Sequence, residues 1–244
     1  YTHLKEHPLD KVDQDEVDAH FQGMPKRYWD SVTKNELIWG LETVHAFFEA
    51  LAAADFPGTP VVANWRHCPE RGFTKVMVCT WDRPRLLAKV AAAFSALRIN
   101  ILQADVFTRA DNVVLDVFQV SDLQHAHLSD AAVLDHLKFL LEGALKEPPS
   151  FMSLWAAQFH KVVERAPGLP CRVEFDNEGS DDYTVLRLEA SDRLGLLYDA
   201  VQGLMECEVN IAQAIISTEK DAARDVFYVT DLEGRKIRET ARLA

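Results

Sequence analysis

Polar residues of the types that bind small zwitterions occur twice in the chain, about 110 positions apart. The two sets are Asp82, Arg83 and Asn100, and Asp192, Arg193, Gly195 and Asn210. N–H groups at the start of a helix attract a carboxylate, and Asp or Asn oxygens accept hydrogen bonds from an ammonium group. A Gly backbone leaves room for a close approach. These residues therefore suit a free amino acid, although an Asp that caps a helix and an Asn in a turn need no ligand.

Two other patterns resemble enzyme sites but lack the partners that catalysis needs. His3 to His7 fits the H-x-x-E-H spacing of zinc hydrolases, but Pro8 follows at once and no third metal ligand is evident. Gly179 to Asp182 begins like a nucleotidyltransferase site, but no D-x-D carboxylate pair follows on a strand to hold Mg²⁺. We expect a turn there. With no G-x-S-x-G sequence and no Walker loop either, the chain itself is not expected to be catalytic or to hold a metal or cofactor.

Residues 80–123 and 190–232 form an internal repeat. They align at an offset of 110 that becomes 109 near residue 112, and sixteen positions are identical. The identical pairs include Asp82/Asp192, Arg83/Arg193, Asn100/Asn210, Ile101/Ile211 and Asp116/Asp225. The slip of one residue falls among polar residues at Asp111-Asn112, which favours a hairpin turn. The chain therefore contains two copies of one structural unit.

Each copy has the periodicity of a strand, a helix and two further strands. Residues 74–80 and 183–190 alternate as strands do. Asp82 and Asp192 are expected at helix N-caps, and apolar residues then recur at helical spacing. Further strands are predicted from Asn100 and Asn210, and over 113–120 and 225–230. A helix over 130–146 and a strand over 171–175 would complete copy one as βαββαβ, the ferredoxin-like order. Copy two reaches residue 244 as its second helix opens, so its sheet must be completed from elsewhere or left short.

The predicted fold class is α+β, with two ferredoxin-like βαββαβ modules in tandem preceded by a helical connector. Residues 1–60 are expected to be a polar tail and the helical connector, with two helices over 15–54. The first module is placed at 72–147, and a helix and linker at 148–170, with the helix over 151–164. The second module is placed at 171–244 and is expected to be incomplete at its C-terminus.

Composition bounds the partners of the chain. Its 244 residues carry 26 Lys and Arg against 38 Asp and Glu, a net charge of −12, which opposes nucleic-acid binding. No apolar run approaches the roughly 20 residues that cross a bilayer, and the polar first residues are unlike a signal peptide. We expect a soluble, cytoplasmic protein. The four cysteines are widely spaced with no C-x-x-C, which favours buried free thiols.

The repeated residues resemble the signature of the ACT domain, a ferredoxin-like module that senses small molecules. The signature resembles D-R-x-G-L-L, then N-I, then D-x-F-x-V-x-D. More closely, SDRLGLLYDAVQGL with NIAQAIISTEKDAARDVFYVTDLEGRKI is similar to the second ACT repeat of the bifunctional uridylyltransferase and uridylyl-removing enzymes that act on the PII nitrogen-signalling protein. The stretch VDAHFQGMPKRYWDSVTKNELIWGLETVHAFF resembles the connector ahead of their tandem repeats. The resemblance spans about residues 15–244.

The resemblance implies a regulatory region that senses an amino acid, with glutamine as the expected ligand. In that family the catalytic domains lie upstream, and those domains would require a divalent metal and UTP. The implied ligand-binding residues are Asp192, Arg193, Leu194, Gly195 and Leu196 with Asn210 and Ile211 opposite, and Asp82, Arg83, Asn100 and Ile101 in copy one. Arg85 stands where copy one should have the glycine, so its side chain is expected to obstruct that site and the second site ranks first.

The residues leave a second class of function open. Paired modules of this kind could serve only for oligomerisation or for docking of the PII protein, without a small ligand. A homodimer through the modules, and contact with upstream catalytic domains, are compatible with either function. A regulatory segment of another ACT-containing enzyme fits the connector less well.

Overall fold

The computed structural model describes residues 9–53, 60–83, 85–146, 171–193, 195–219 and 222–238. Where two helices were expected over 15–54, the described residues form three: α1 (Gln14–Gly23), α2 (Lys26–Ser31) and α3 (Lys34–Ala52). Capping boxes start α1 and α3, in which the Asp13 and Thr33 side chains accept from the Glu16 and Glu36 amides. The extra break follows from Pro25, which caps α2 and cannot continue α1.

The first module, over residues 62–146, contains four strands of the sheet and two α-helices. They are β1 (Val62–Cys68), β2 (Phe73–Trp81), α4 (Leu86–Ala96), β3 (Asn100–Asp105), β4 (Val113–Ser121) and α5 (Ala131–Lys146). The strands lie in the order β1-β2-β4-β3, and every pair is antiparallel. The β3–β4 turn passes through Asn112, whose φ of 66° lies in the left-handed region, as the polar slip in the repeat predicts.

The second half repeats the four long strands and the first helix of this arrangement. It contains β5 (Arg172–Asp176), β6 (Thr184–Ser191), α6 (Leu196–Glu206), β7 (Asn210–Ile215), the short β8 (Thr218–Glu219) and β9 (Ala222–Thr230). The strands lie in the order β5-β6-β9-β7, with β8 paired to β9. The turn between β5 and β6 is at the predicted place, where Asp176 accepts from the Glu178 and Gly179 amides.

The α+β class with two ferredoxin-like modules is confirmed, but the fourth strand comes from a different place in the chain. The prediction that residues 171–175 complete copy one was wrong, because β5 pairs with β6 of the second half. In copy one the same position beside β2 is taken by β1, which precedes the module. Each module is thus a permuted unit in which the last strand has moved to the front. This permutation also supplies the strand that copy two was expected to lack.

The two modules join edge to edge through β3 and β7. These strands are antiparallel, and Ala104 pairs with Ala214, its own equivalent in the repeat. Antiparallel pairing of equivalent residues relates the two modules by a local two-fold axis, as in an isologous dimer. The Gln213 side-chain amide donates to Asp105 across this pairing at 2.9 Å. We call the β3–β7 pairing, together with this contact, the seam.

The two faces of the sheet are covered differently. Val76, Val78 and Phe118 face a helical layer that contains α4, α5 and α6. On the opposite face, Met77 and Leu115 pack against Tyr28, Trp39 and Phe47 of the connector. In the second module the positions equivalent to Met77, Cys79 and Leu115 are Arg187, Glu189 and Arg224, which form ion pairs on the surface. Among the described residues, the apolar packing of the connector is therefore against the first module.

The remaining expectations concern the terminal and linker segments, the cysteines and membrane-spanning helices. The helix expected over 151–164 and the His3 to His7 segment lie outside the described residues. All four cysteines are free, but only Cys79 is buried, whereas Cys171 and Cys207 are exposed, contrary to expectation. Among the described helices, none is long and apolar enough to cross a membrane.

Candidate site between the two modules

Among the described residues, two crevices lie where the modules meet, and the larger of these is between the β2–α4 loop of the first module and the start of β7 in the second. Its volume is about 650 Å³, within the roughly 300–1,000 Å³ range of small-molecule sites. The first module contributes Asp82, Arg83, Arg85, Leu86, Leu87, Val106, Thr108, Asn112, Val114 and Asp116. The second contributes Val201, Met205, Glu208, Val209, Asn210, Ile211 and Leu232. Neither module forms this crevice alone.

The smaller crevice lies on the other side of the two-fold axis and has a volume of about 40 Å³. That volume holds a few water molecules, since one water needs roughly 10–15 Å³. It is lined by Asp192, Arg193, Gly195, Leu196, Leu197, Ile216, Ala223 and Asp225 of the second module, and by Ser95, Ile99, Asn100 and Ile101 of the first. Each of these twelve residues has its repeat equivalent in the lining of the larger crevice. The crevices are therefore two versions of one site.

The structure brings the predicted site residues together in a different combination. Asp82 and Arg83 meet Asn210 and Ile211, and Asp192, Arg193, Gly195 and Leu196 meet Asn100 and Ile101. The expectation that each Asp-Arg loop converges with the Asn of its own copy was wrong. Because the seam pairs the modules antiparallel, each loop faces the first residue of the other module's strand. Leu194 lies outside the described residues.

The loops do not use their aspartates as helix caps. The N-cap positions of α4 and α6 are Arg85 and Gly195, with φ of 66° and 82°, and neither helix has a side-chain cap. The prediction that Asp82 and Asp192 are N-caps was therefore wrong. Both aspartates lie three residues before the cap, and Asp82 is exposed at the mouth of the crevice. A left-handed residue turns the chain into each helix, which suits Gly and strains Arg.

The two loop arginines are held by different partners. Arg83 donates to the Leu145 carbonyl and, at 2.6 Å, to the Thr80 hydroxyl, so it braces α5 against the loop. Arg193 forms an ion pair with Asp199 on α6. The position equivalent to Asp199 is Lys89, whose pKa is lowered by burial and by the neighbouring Arg83 and Arg85. The first loop is consequently the more positive of the two.

Arg85 does not close the site. It is exposed on the larger crevice, and its guanidinium has no hydrogen-bond or ion-pair partner within the described part of the chain. The ranking of the second site above the first rested on obstruction by this side chain. By volume the order is reversed, because the crevice with Arg85 is the one large enough for a ligand.

A buried aspartate at the back of each crevice was missed as a site residue. Asp116 on β4 and Asp225 on β9 are each 1% exposed, and they are equivalent in the repeat. Burial raises the pKa of Asp116 to about 8 and that of Asp225 to about 7. The available signal was an acidic residue, kept in both copies, in the alternation that places Val114 and Phe118 in the core. Perturbed acids in a cleft are typical of functional sites.

No metal centre is formed by the parts of the chain described here: no group of three or more His, Cys, Asp or Glu side chains could hold an ion. The polar groups of the crevices are carboxylates, guanidinium groups, amides and the Thr108 and Ser95 hydroxyls, together with the first turns of α4 and α6. These groups can bind and orient a small polar molecule, and none of them is arranged as a nucleophile with an adjacent base.

Comparison with known proteins adds a family to this geometry. Residues 179–243 match the ACR family N-terminal ACT domain. The chain is similar to proteins named bifunctional uridylyltransferase/uridylyl-removing enzyme. The protein from Ruegeria pomeroyi is 31% identical over 244 residues, which cover 99% of this chain and 25% of the relative. The one from Gluconobacter oxydans is 35% identical over 76% of this chain and 20% of the relative. A Bradyrhizobium relative is 30% identical over 95% of this chain and 24% of the relative. The chain thus spans a fifth to a quarter of the length of these relatives.

Proposed function

We propose that the chain is the amino-acid-sensing regulatory region of a bifunctional uridylyltransferase/uridylyl-removing enzyme, because it is similar to such enzymes over most of its length and matches an ACT domain at 179–243. One observation carries the proposal. Twelve lining residues recur, position by position, in two crevices that both modules build together. Residues that only fold a module have no need to meet across the seam, whereas a ligand held there would contact both modules at once.

Glutamine is the ligand that we propose for the larger crevice. It has about ten heavy atoms, and at roughly 0.3–0.8 kcal/mol per atom it would bind with a Kd in the millimolar to low-micromolar range. The crevice offers Arg85 and the first turn of α4 for a carboxylate, and Asn210 and Asp82 for polar hydrogens. A metabolite present at millimolar concentration would be sensed in that range.

A continuous set of contacts supports coupling from the crevice to the connector. Val106 lines the larger crevice, and its carbonyl accepts a hydrogen bond from Arg27 of α2. The Arg27 guanidinium also lies over the Phe107 ring, 4.8 Å from its centroid. A ligand that shifts Val106 would therefore act on the connector, with a coupling of about 1–3 kcal/mol.

In this proposal the connector passes the signal to catalytic domains outside this chain, which transfer and remove uridylyl groups on the PII protein in the cytoplasm. Those domains would hold the divalent metal and UTP, and the region described here would need neither. A homodimer through the modules is compatible with the proposal, since β1 and β5 are the outer strands of the sheet.

Titration of the chain with L-glutamine tests the proposal. We expect binding heat by calorimetry. At a ligand concentration tenfold above Kd, stabilisation of about 1.4 kcal/mol should raise Tm by about 3 °C or more. Size-exclusion chromatography with light scattering, with and without glutamine, separates sensing from assembly. If none of the protein amino acids produces heat or a thermal shift at about 10 mM, sensing is refuted and an assembly or docking role is favoured.

A further inference from the structure

Asp116 is the only charged side chain in an otherwise apolar row on β4. Its neighbours on the same face of the strand, Val114, Phe118 and Val120, belong to the core beneath the helical layer. Asp116 lines the larger crevice from this row. An isolated carboxylate in such a place is costly unless a partner compensates its charge.

Only one of the two carboxyl oxygens of Asp116 accepts a hydrogen bond from the described residues. The Phe107 amide donates to Oδ1 at 3.1 Å, and the buried Oδ2 has no partner among the described residues. Burial raises the pKa of this carboxyl to about 8, opposed by the Phe107 amide and the Arg27 charge and reinforced by Asp82 and Asp105. At pH 7 this carboxyl is therefore mostly protonated, and its Oδ2 has no hydrogen-bond partner among the described residues.

The opposite polarity lies at the mouth of the same crevice. Arg85 is exposed there without a hydrogen-bond or ion-pair partner among the described side chains, and it is the N-cap residue of α4. A cation at the back and an anion at the mouth would each meet a complementary group. A free amino acid has this pair of charges on one carbon atom.

We propose that Asp116 is the counter-charge for the α-ammonium group of the amino acid that occupies the larger crevice. The assignment deepens the proposed function and rests on it. On binding, the carboxyl of Asp116 gives its proton to solvent and the ligand keeps its ammonium protons. The bound state then contains a carboxylate–ammonium pair, and one proton appears in the buffer. At pH 7, a pKa of about 8 corresponds to release of about 0.9 proton per ligand.

The repeat supplies a matched control. Asp225 is the equivalent of Asp116 and is also 1% exposed, and a backbone hydrogen bond from Ser217, the equivalent of Phe107, opposes the effect of burial on its pKa. It faces the crevice of about 40 Å³, which has no room for an amino acid. The same substitution at the two positions therefore removes one buried carboxyl in each case, but only one of them belongs to a crevice of sufficient size.

The experiment is calorimetric titration with L-glutamine at pH 7 in two buffers of different ionisation enthalpy. Any other protein amino acid replaces glutamine as titrant if glutamine gives no heat. The wild-type chain should release close to one proton, and Asp116→Asn should release none and bind about 10- to 100-fold more weakly. Asp225→Asn should keep both the proton release and the affinity. 4-Carbamoylbutanoate, which is glutamine without its amino group, should release no proton and should bind the wild type and Asp116→Asn equally.

Binding of glutamine to the wild type without proton release would overturn the assignment, and this measurement does not depend on any variant folding. Unchanged affinity in Asp116→Asn, or an equal loss in Asp225→Asn, would also overturn it, while the proposed function would stand. If no amino acid binds the wild type, the proposed function fails, and the assignment fails with it.

Discussion

The two buried aspartates should make the protein less stable as the pH rises. The folded-state pKa values of Asp116 and Asp225, about 8 and about 7, lie above the ordinary value of 3.8. Between these limits the folded state binds more protons than the unfolded state, so the free energy of unfolding falls as the pH increases. The fall begins near pH 4 and ends once the pH has passed the folded-state pKa. Asp→Asn at either position should remove that contribution.

The magnitude follows from the pKa values. Each unit of pH between the unfolded and folded pKa costs about 1.4 kcal/mol per group. Between pH 5 and pH 8, the loss is about 3–4 kcal/mol for Asp116 and about 2–3 kcal/mol for Asp225. Asn keeps an oxygen that can accept from the Phe107 amide, so Asp116→Asn changes stability by a constant offset plus this pH-dependent part. The slope, rather than the offset, identifies the buried acid.

Urea unfolding followed by circular dichroism at pH 5, 6, 7 and 8 measures the slope. The difference between each variant and the wild type, taken at every pH, cancels the contributions of all other titrating groups. Asp181→Asn, at a residue exposed in the β5–β6 turn, is the control for the same substitution outside the crevices.

A flat difference for Asp116→Asn between pH 5 and pH 8 would refute the reasoning. It would mean that the carboxylate is ionised in the folded protein, with its charge compensated by a group such as Arg27. Asp116 would then have no proton to release when a ligand binds in the crevice.

Three further predictions concern other parts of the molecule. Burial lowers the pKa of His20 to about 3, with a further decrease from Arg109, so the free energy of unfolding should fall by about 1.4 kcal/mol per pH unit below pH 6.5. His20→Gln should abolish this loss in acid unfolding curves, and an unchanged loss of stability in acid would contradict the prediction. Gly195→Val should lower stability by about 1–2 kcal/mol because the φ of Gly195 is 82°, whereas Arg85→Gly, at a φ of 66°, should be neutral or stabilising. Equal thermal shifts for the two variants would exclude backbone strain as the cause. Arg27→Met should lower the free energy of unfolding, measured in urea, by about 1–3 kcal/mol because the hydrogen bond to Val106 is lost. Arg27→Lys should restore little of this stability, and full restoration by Lys would argue against a need for the planar guanidinium group.

The duplication explains why the two crevices can share a plan and yet differ in size. Their twelve common positions include identical Asp, Arg, Asn and Ile residues, but Arg85 replaces Gly195 and Met205 replaces Ser95. Lys89 and Asp199 also reverse the charge beside the loop arginine. One copy of the site could thus bind a ligand while the other preserves the packing of the seam.

Local regularities predicted most of the elements. Strand alternation and helical spacing located β2, α4, β3 and β4 and their repeat equivalents to within one residue at most boundaries. The exceptions are β9, which starts three residues early, and α4 and α6, whose caps lie three residues after the predicted ones. The repeat itself showed that the chain holds two modules. Such features depend on neighbours a few residues apart, so the order of residues contains them. The residues that line the crevices were mostly visible in the same way, because the loop and strand-start positions recur in both copies.

The amino-acid sequence by itself determined the two ferredoxin-like units and the polar residues at their loops. The tertiary structure alone decided which residues face each other. Pairing of Ala104 with Ala214 sets the modules antiparallel, so each loop meets the other module's strand, and the edge strands come from ahead of each module. The tertiary structure also decided that the Asp116 side chain is buried. A pairing between distant strands, and the burial that it produces, depends on the energy of the whole sheet and its helical layer, which no local pattern contains.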